Sequence, residues 1–253
     1  MSLDLLVSGA RSLLNLELTE AQLALFQLYY ETLVDWNERV NLTSITTYED
    51  VQLKHFLDSL TLASPKLRGD PPGFALDLNS AALVDIGAGA GFPGVPLKIL
   101  YPGLKLTLSD SVGKKTAFLT HLVEKLQLRE VQIINGRAEE LGQNPAHRQK
   151  YQIATGRAVA ALNVLSEYCL PLCKVGGLFI APKKGDLFEE LKAGAPVVPK
   201  LGGQLRQTPI FDLPGEEKSG RRLIVAQKIA PTPAAYPRGV GVPAKTPLIS
   251  LQS

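Results

Sequence analysis

Asp85-Ile86-Gly87-Ala88-Gly89-Ala90-Gly91-Phe92-Pro93-Gly94 follows the apolar run Ala82-Leu83-Val84, and its reading decides the fold. A buried strand that runs into alternating glycines must turn sharply, because glycine enters the left-handed backbone region without a Cβ penalty. The missing side chains also let a ligand lie against the backbone. Pro93 and Pro96 suit the first turn of a following helix, where an amide proton is not needed. Strand, glycine loop and helix open a βαβ unit whose ligand is expected beyond the carboxyl ends of the strands.

Outward from this loop, strand and helix alternate. Short apolar runs at Ala82–Ile86, Leu104–Ser109, Val131–Ile134, Tyr151–Ala154 and Leu178–Ala181 are expected strands. Helical stretches at about 94–101, 114–127, 158–173 and 185–194 separate them. This rhythm predicts an α/β fold with a doubly wound, mostly parallel sheet. Two late runs, Leu205–Phe211 and Arg222–Lys228, have no helix between them and are expected to pair as an antiparallel hairpin at an edge, completing seven strands. Residues 1–65 read as a helical extension. Thr19-Glu20-Ala21-Gln22 matches a capping box, and a second helix is expected over about 49–62, closed by Pro65. Residues 66–80 hold Gly69, Pro71, Pro72 and Gly73 and read as a loop. The organisation expected is therefore 1–65 as helical extension, 81–230 as ligand-binding domain, and 231–253 as a proline-rich, extended tail.

Two ligand classes compete for the glycine loop. A dinucleotide fingerprint G-x-G-x-x-G fits only from Gly89, through Gly91 and Gly94, which leaves Asp85 and Gly87 inside the strand. The methyltransferase pattern, an acidic residue before G-x-G-x-G, fits Asp85, Gly87, Gly89 and Gly91 without a misfit. The second strand ends at Asp110, with Ser111 and Val112 beside it. An acidic side chain there can accept from ribose hydroxyls, or cap the helix before Lys114. Glu139 and Glu140 after the third strand can face a ligand, or be a solvated first helical turn.

The 253 residues carry a formal charge of +3, too small to demand a polyanionic partner by itself. Basic residues instead gather locally: Lys114-Lys115, Lys183-Lys184 and Arg221-Arg222, with Arg137 and Arg157 between. All but Arg221 and Arg222 follow the carboxyl ends of expected strands, where a cationic rim would take phosphates. Cys169 and Cys173, four apart, are expected on one helix face as buried apolar residues rather than metal ligands. No metal site, signal peptide or membrane span is expected, which points to the cytoplasm.

The loop from Asp85 to Leu97 resembles that of the ribosomal RNA small subunit methyltransferase G family, also called glucose-inhibited division protein B. Further blocks match in order from about residue 19 to 248. They include Trp36-Asn37 with Asn41-Leu42-Thr43-Ser44-Ile45, Lys54-His55-Phe56-Leu57-Asp58-Ser59, and Asp110-Ser111 with Lys114-Lys115. Arg137-Ala138-Glu139-Glu140, Gly156-Arg157-Ala158-Val159-Ala160, Pro182-Lys183-Lys184-Gly185 and Tyr236-Pro237-Arg238 follow. Gln152 stands where an Asp is frequent in the family, and residues 68–81 look longer than usual.

The resemblance implies a Rossmann-like, S-adenosylmethionine-dependent enzyme that methylates guanine N7 in small-subunit (16S) ribosomal RNA, at guanine 527 in conventional rRNA numbering, with that RNA or the 30S particle as partner. It implies that Gly87, Phe92, Ala138, Glu139 and Arg157 contact the donor, joining Asp85, Gly89, Asp110, Ser111 and Val112 of the loop reading. It places Asn41, His55 and Arg157 at the reacting base. Each of the first two also has a plainer reading: Asn41 as a turn cap before Leu42, His55 as a partly buried imidazole. Lys114, Lys115, Arg137, Lys183, Lys184, Arg221 and Arg222 are the expected RNA contacts. N7 is already a lone-pair nucleophile, so transfer needs positioning rather than a general base. The N7 edge lies in the A-form major groove, which side chains cannot read, so the target is expected to be unpaired or flipped out. A small-molecule methyltransferase, a dehydrogenase with NAD in the loop and a non-enzymatic RNA-binding assembly factor are the alternatives.

Overall fold

The computed structural model describes residues 2–64, 67, 77–206, 208–216 and 219–249. The expected 66–80 loop therefore lies mostly outside the described residues, as does Pro65. The glycine stretch opens the sheet as foreseen. Strand β1 (Ala82–Ile86) lies between β2 (Lys105–Asp110) and β4 (Tyr151–Thr155), with β3 (Val131–Asn135) beyond β2 and β5 (Cys173–Lys183) beyond β4. These five strands are parallel, and the order reverses beside β1. That reversal is the switch point where an open α/β sheet binds its ligand.

The far side departs from expectation. β8 (Arg221–Lys228) is antiparallel to β5 and lies inside the sheet. The expected strand Leu205–Phe211 is instead two short ones, β6 (Gly203–Leu205) and β7 (Ile210–Phe211), both antiparallel on β8. The sheet thus has eight strands rather than seven. Pro209, which has no ladder donor, stands immediately before β7 and accounts for the break. Gln152, the departure from the family pattern, ties β4 to the start of β1 by accepting from the Ala82 amide at 3.0 Å.

One face of the sheet presents Leu83, Leu106, Leu108, Ile153 and Ile180 to a core that includes the N-terminal helices. These are α1 (Asp4–Leu14) and α2 (Glu20–Asn37), the latter started by the Thr19–Gln22 capping box. A third helical run follows. It begins as α3 (Tyr48–Asp50), widens into a π turn over Val51–Leu57, and ends as α4 (Asp58–Leu60) and a 3-10 turn to Ala63. π turns often mark functional sites, and this one carries His55. Also on the sheet are α5 (Gly94–Leu100) and α6 (Gly113–Lys125). The opposite face packs Val84, Ile86, Ala154 and Phe179 against α7 (Ala138–Gln143), α8 (Leu162–Cys169), α9 (Phe188–Gly194) and α10 (Val197–Lys200).

Element boundaries also moved. The helix expected over 158–173 is only Leu162–Cys169, because residues 158–161 are an irregular wall and Cys173 already belongs to β5. The two cysteines therefore do not share a helix face, although both are buried and free. The tail is not wholly extended: Val242–Lys245 form a short helix, α11.

Candidate active site

The ends of β1, β2 and β3 and the loop after β4 surround a cavity lined by Ile86, Gly87, Ser109, Asp110, Ser111, Gly136, Arg137, Ala138, Glu139 and Val159, with Tyr168 of α8 closing one side. Gly87 has φ +65°, and a Cβ there would come within 2.6 Å of Val159 Cγ2, so the position admits no side chain without displacement. Gly91 has φ +94° and lies against the Tyr29 hydroxyl, which donates to the Ala90 carbonyl. The Asp110 carboxylate accepts from the Gly89 amide at 2.9 Å and the Val112 amide at 2.9 Å. Asp110 therefore braces the glycine loop and the turn that leads into α6 rather than capping that helix, and each oxygen keeps a lone pair for a hydroxyl. Glu139 is buried at the start of α7. Burial first, then the Glu139 carboxylate, push the Tyr168 phenol up to about 12, so it remains a proton donor. Exposed Val159 adds apolar surface to the wall, whereas Val112, also exposed, is not among the lining residues. Two carboxylates, apolar patches and a bare backbone loop suit a nucleoside with a cationic group, so these residues fit S-adenosylmethionine.

Asp85 is absent from that lining. It is fully buried beneath the loop, and its Oδ2 accepts from the Gly94 amide at 2.9 Å while Oδ1 has no partner. Burial raises it to about 7, against the Gly94 bond, which lowers it. Phe92 is also behind the loop, 4% exposed, stacked on His55 with centroids 4.3 Å apart. Gly89 has its amide committed to Asp110. Asp85, Phe92 and Gly89 therefore shape the cavity from outside it.

A second cleft of about 480 Å³ opens on the other side of the 157–159 segment, lined by Ile45, Lys54, His55, Asp58, Arg157, Ala158, Pro182, Lys183, Lys184, Glu216 and Arg221. Arg157 lines this cleft and not the cavity at the strand ends. Its guanidinium lies 5.0 Å from the Phe92 ring and donates to Asp58 Oδ2 at 2.8 Å, the Lys54 carbonyl at 3.1 Å and His55 Nδ1 at 3.0 Å. Arginine can only donate, so Nδ1 is the acceptor and the His55 proton sits on Nε2, 2.9 Å from the Thr43 hydroxyl. Burial, then the Arg157 charge, lower His55 to about 3, leaving a neutral imidazole with both nitrogens engaged. Asp58 Oδ1 accepts from Arg221 at 2.8 Å, and Arg221 also pairs with Glu216, which meets Lys184 at 3.1 Å.

The expected cations thus divide. Arg157, Lys183, Lys184 and Arg221 are ion-paired, Lys183 with Glu190 of α9. Arg221 and Arg222, set apart on sequence, come to the same edge as Lys183, because antiparallel β8 begins where β5 ends and places Arg222 opposite Lys183. Arg222 Nε is buried and unpartnered. Lys114 and Arg137 are exposed and Lys115 half-buried. Asn41 is exposed and lines neither cavity. The turn cap is Asn37, whose Oδ1 accepts from the Leu42 and Thr43 amides at 2.8 and 3.0 Å. Thr43, Asp58 and Tyr168 were missed. A His-to-Asp spacing of three on a helix was the available signal for Asp58, but nothing in the sequence pointed to its two arginines.

The family model for rRNA small subunit methyltransferase G matches residues 22–217. The chain belongs to that family. Among its members, the Dehalococcoides mccartyi (strain CBDB1) ribosomal RNA small subunit methyltransferase G is 50% identical over 94% of this chain and 97% of its own length. The Roseiflexus castenholzii (strain DSM 13941 / HLO8) member is 48% identical over 93% of this chain and 95% of its own. Among solved structures, a MtNAS variant superposes with a TM-score of 0.53 at 14% identity, covering 81% of this chain and 71% of that one. The variant in complex with S-adenosylmethionine gives 0.52 at 14%, covering 81% and 73%. At that identity the likeness concerns the fold. Family membership makes this chain an S-adenosylmethionine-dependent rRNA methyltransferase. No described helix is long and apolar enough to cross a membrane.

Proposed function

We propose that the chain methylates N7 of a guanine in small-subunit (16S) rRNA, at guanine 527 in conventional numbering. The observation that carries this reading is the state of His55. It is a base candidate in the cleft beside the donor cavity, yet it is neutral, with Nδ1 accepting from Arg157 and Nε2 facing Thr43. The cleft carboxylates Asp58 and Glu216 are ion-paired. Such a cleft is poorly equipped to remove a proton and needs none if the nucleophile is N7. When bound, S-adenosylmethionine supplies a methyl on an electrophilic sulfonium. Glu139 and Asp110 would orient it in the cavity, with Arg157 on the opposite side of the 157–159 segment holding the purine in line.

The cleft favours a polyanionic acceptor over a small metabolite. Lys54, Arg157, Lys183, Lys184 and Arg221 against Asp58 and Glu216 give it a formal +3. Its phosphate-binding capacity would be extended by Lys114, Lys115 and Arg137 on the donor side and Arg222 at the margin. In this reading residues 1–65 supply one wall of the acceptor cleft, 81–230 the donor cavity, and 231–253 its backing. Incubating the protein with 30S subunits and labelled donor, then mapping the nucleosides, should give one N7-methylguanine. A methyl on any other atom, or labelling only of small metabolites, would refute the reading.

A further inference from the structure

Glu167 of α8 is fully buried, an expensive place for a carboxylate unless it is paired and hydrogen-bonded. Its partner comes from the C-terminal segment. Arg238 donates to it through its backbone amide at 2.8 Å, Nε at 2.9 Å and Nη2 at 2.8 Å. Three residues on, the Gly241 amide donates to Glu139 Oε1 at 2.8 Å. Glu139 and Tyr168, the neighbour of Glu167, both line the donor cavity and interact with each other. One short segment therefore holds two walls of the cavity from behind. It is itself anchored upstream, where Arg148 donates to the Thr232 and Tyr236 carbonyls at 2.9 and 2.7 Å and Gln143 donates to Pro237 at 2.7 Å.

We propose that residues 232–245 are a positioning strap for the methyl-donor cavity, with Arg238 setting α8 through Glu167 and Gly241 fixing the rotation of the Glu139 carboxylate. The strap touches neither donor nor RNA; it acts through the two wall residues. The inference rests on the donor occupying this cavity.

Calorimetry with S-adenosylhomocysteine tests it on Arg238→Gln and Arg238→Lys. Arg238→Gln should weaken binding about tenfold, the scale of one lost charge-assisted hydrogen bond, and Arg238→Lys should recover part of it. At saturating donor, kcat and the KM for RNA should stay within about twofold of wild type, since the acceptor cleft is untouched. A scaffold role alone would lower Tm and leave donor affinity in place, and that result overturns the proposal. Hydrogen exchange on the unaltered protein gives a readout free of folding defects. S-adenosylhomocysteine should slow exchange at amides 238–242 together with 138–140, and a strap indifferent to the ligand overturns the proposal. Failure of the wild type to bind the ligand at all would instead refute the donor assignment.

Discussion

The proposed donor cavity is assembled around neighbouring strand ends of one sheet, on a glycine-bearing loop and two carboxylates. The proposed acceptor cleft is assembled from the N-terminal π turn, the loop after β4, and the ends of β5 and β8, and charged side chains form most of its lining. Asp58 joins them: it bridges Arg157 and Arg221, which are 99 and 163 residues away from it in sequence. A site made of strand ends is repeated wherever the fold is repeated, whereas a site made of long-range ion pairs exists only once the whole chain has closed. The two meet at residues 157–159, so a change on one side should leave the other measurable.

The largest effect is expected at that junction. Arg157→Gln removes the group that holds His55 and half of Asp58, and should cut methyl transfer about 100-fold, the usual cost of mispositioning. Donor affinity should hardly move. Gly87→Ala should do the opposite, weakening donor binding by about 2 kcal/mol, roughly 30-fold, through the left-handed backbone and the Val159 contact, with RNA affinity intact. Calorimetry with donor and filter binding with RNA, run on both variants, separate the regions. Donor loss in Arg157→Gln would merge them.

A smaller effect concerns which cations meet phosphates. Lys184 already pairs with Glu216, whereas no ion pair is seen for Lys114 or Lys115 among the described residues. The double change Lys114→Gln and Lys115→Gln should reduce the slope of log affinity against log salt by about one to two, and Lys184→Gln by less. Equal slopes would mean that RNA opens the Glu216 pairs on binding.

The smallest effects are in pH. His55, ordinarily about 6.5, lies near 3, so the folded protein holds fewer protons than the unfolded chain between those values. Its contribution to stability is complete above about 6.5 and is lost as pH falls towards 3. Asp85, ordinarily 3.8, lies near 7, so its contribution is present below 3.8 and is lost as pH rises through 7. Urea midpoints across this range should lose their decline between about 4 and 7 in Asp85→Asn, and their rise between about 3 and 6.5 in His55→Gln. An inflection of the transfer rate near 7 that survives Asp85→Asn would contradict the assignment of that group.

The strand and helix alternation was legible because each element announces itself over a few residues. The exceptions were also local in cause: Pro209 broke a strand, and the 158–161 segment shortened a helix. Side-chain roles were less legible. Asp85 matched a motif but turned beneath the loop to the Gly94 amide, and Phe92 went with it into the packing under His55. Asn37 took the turn that the plainer reading gave to Asn41. In each case tertiary packing set where the side chain went.

The order of acidic and glycine residues in the loop, with the blocks around it, determined by itself that the chain has a parallel α/β sheet and belongs among the methyltransferases. The reason is that a glycine turn between strand and helix needs only local backbone geometry. Tertiary structure alone decided that Arg157 lines the cleft beside His55 and Asp58 rather than the cavity at the strand ends, that Arg221 joins Lys183 at one edge, and that Arg238 reaches Glu167. Charges find partners by distance in space, and a linear chain does not encode that distance until the sheet has brought its ends together.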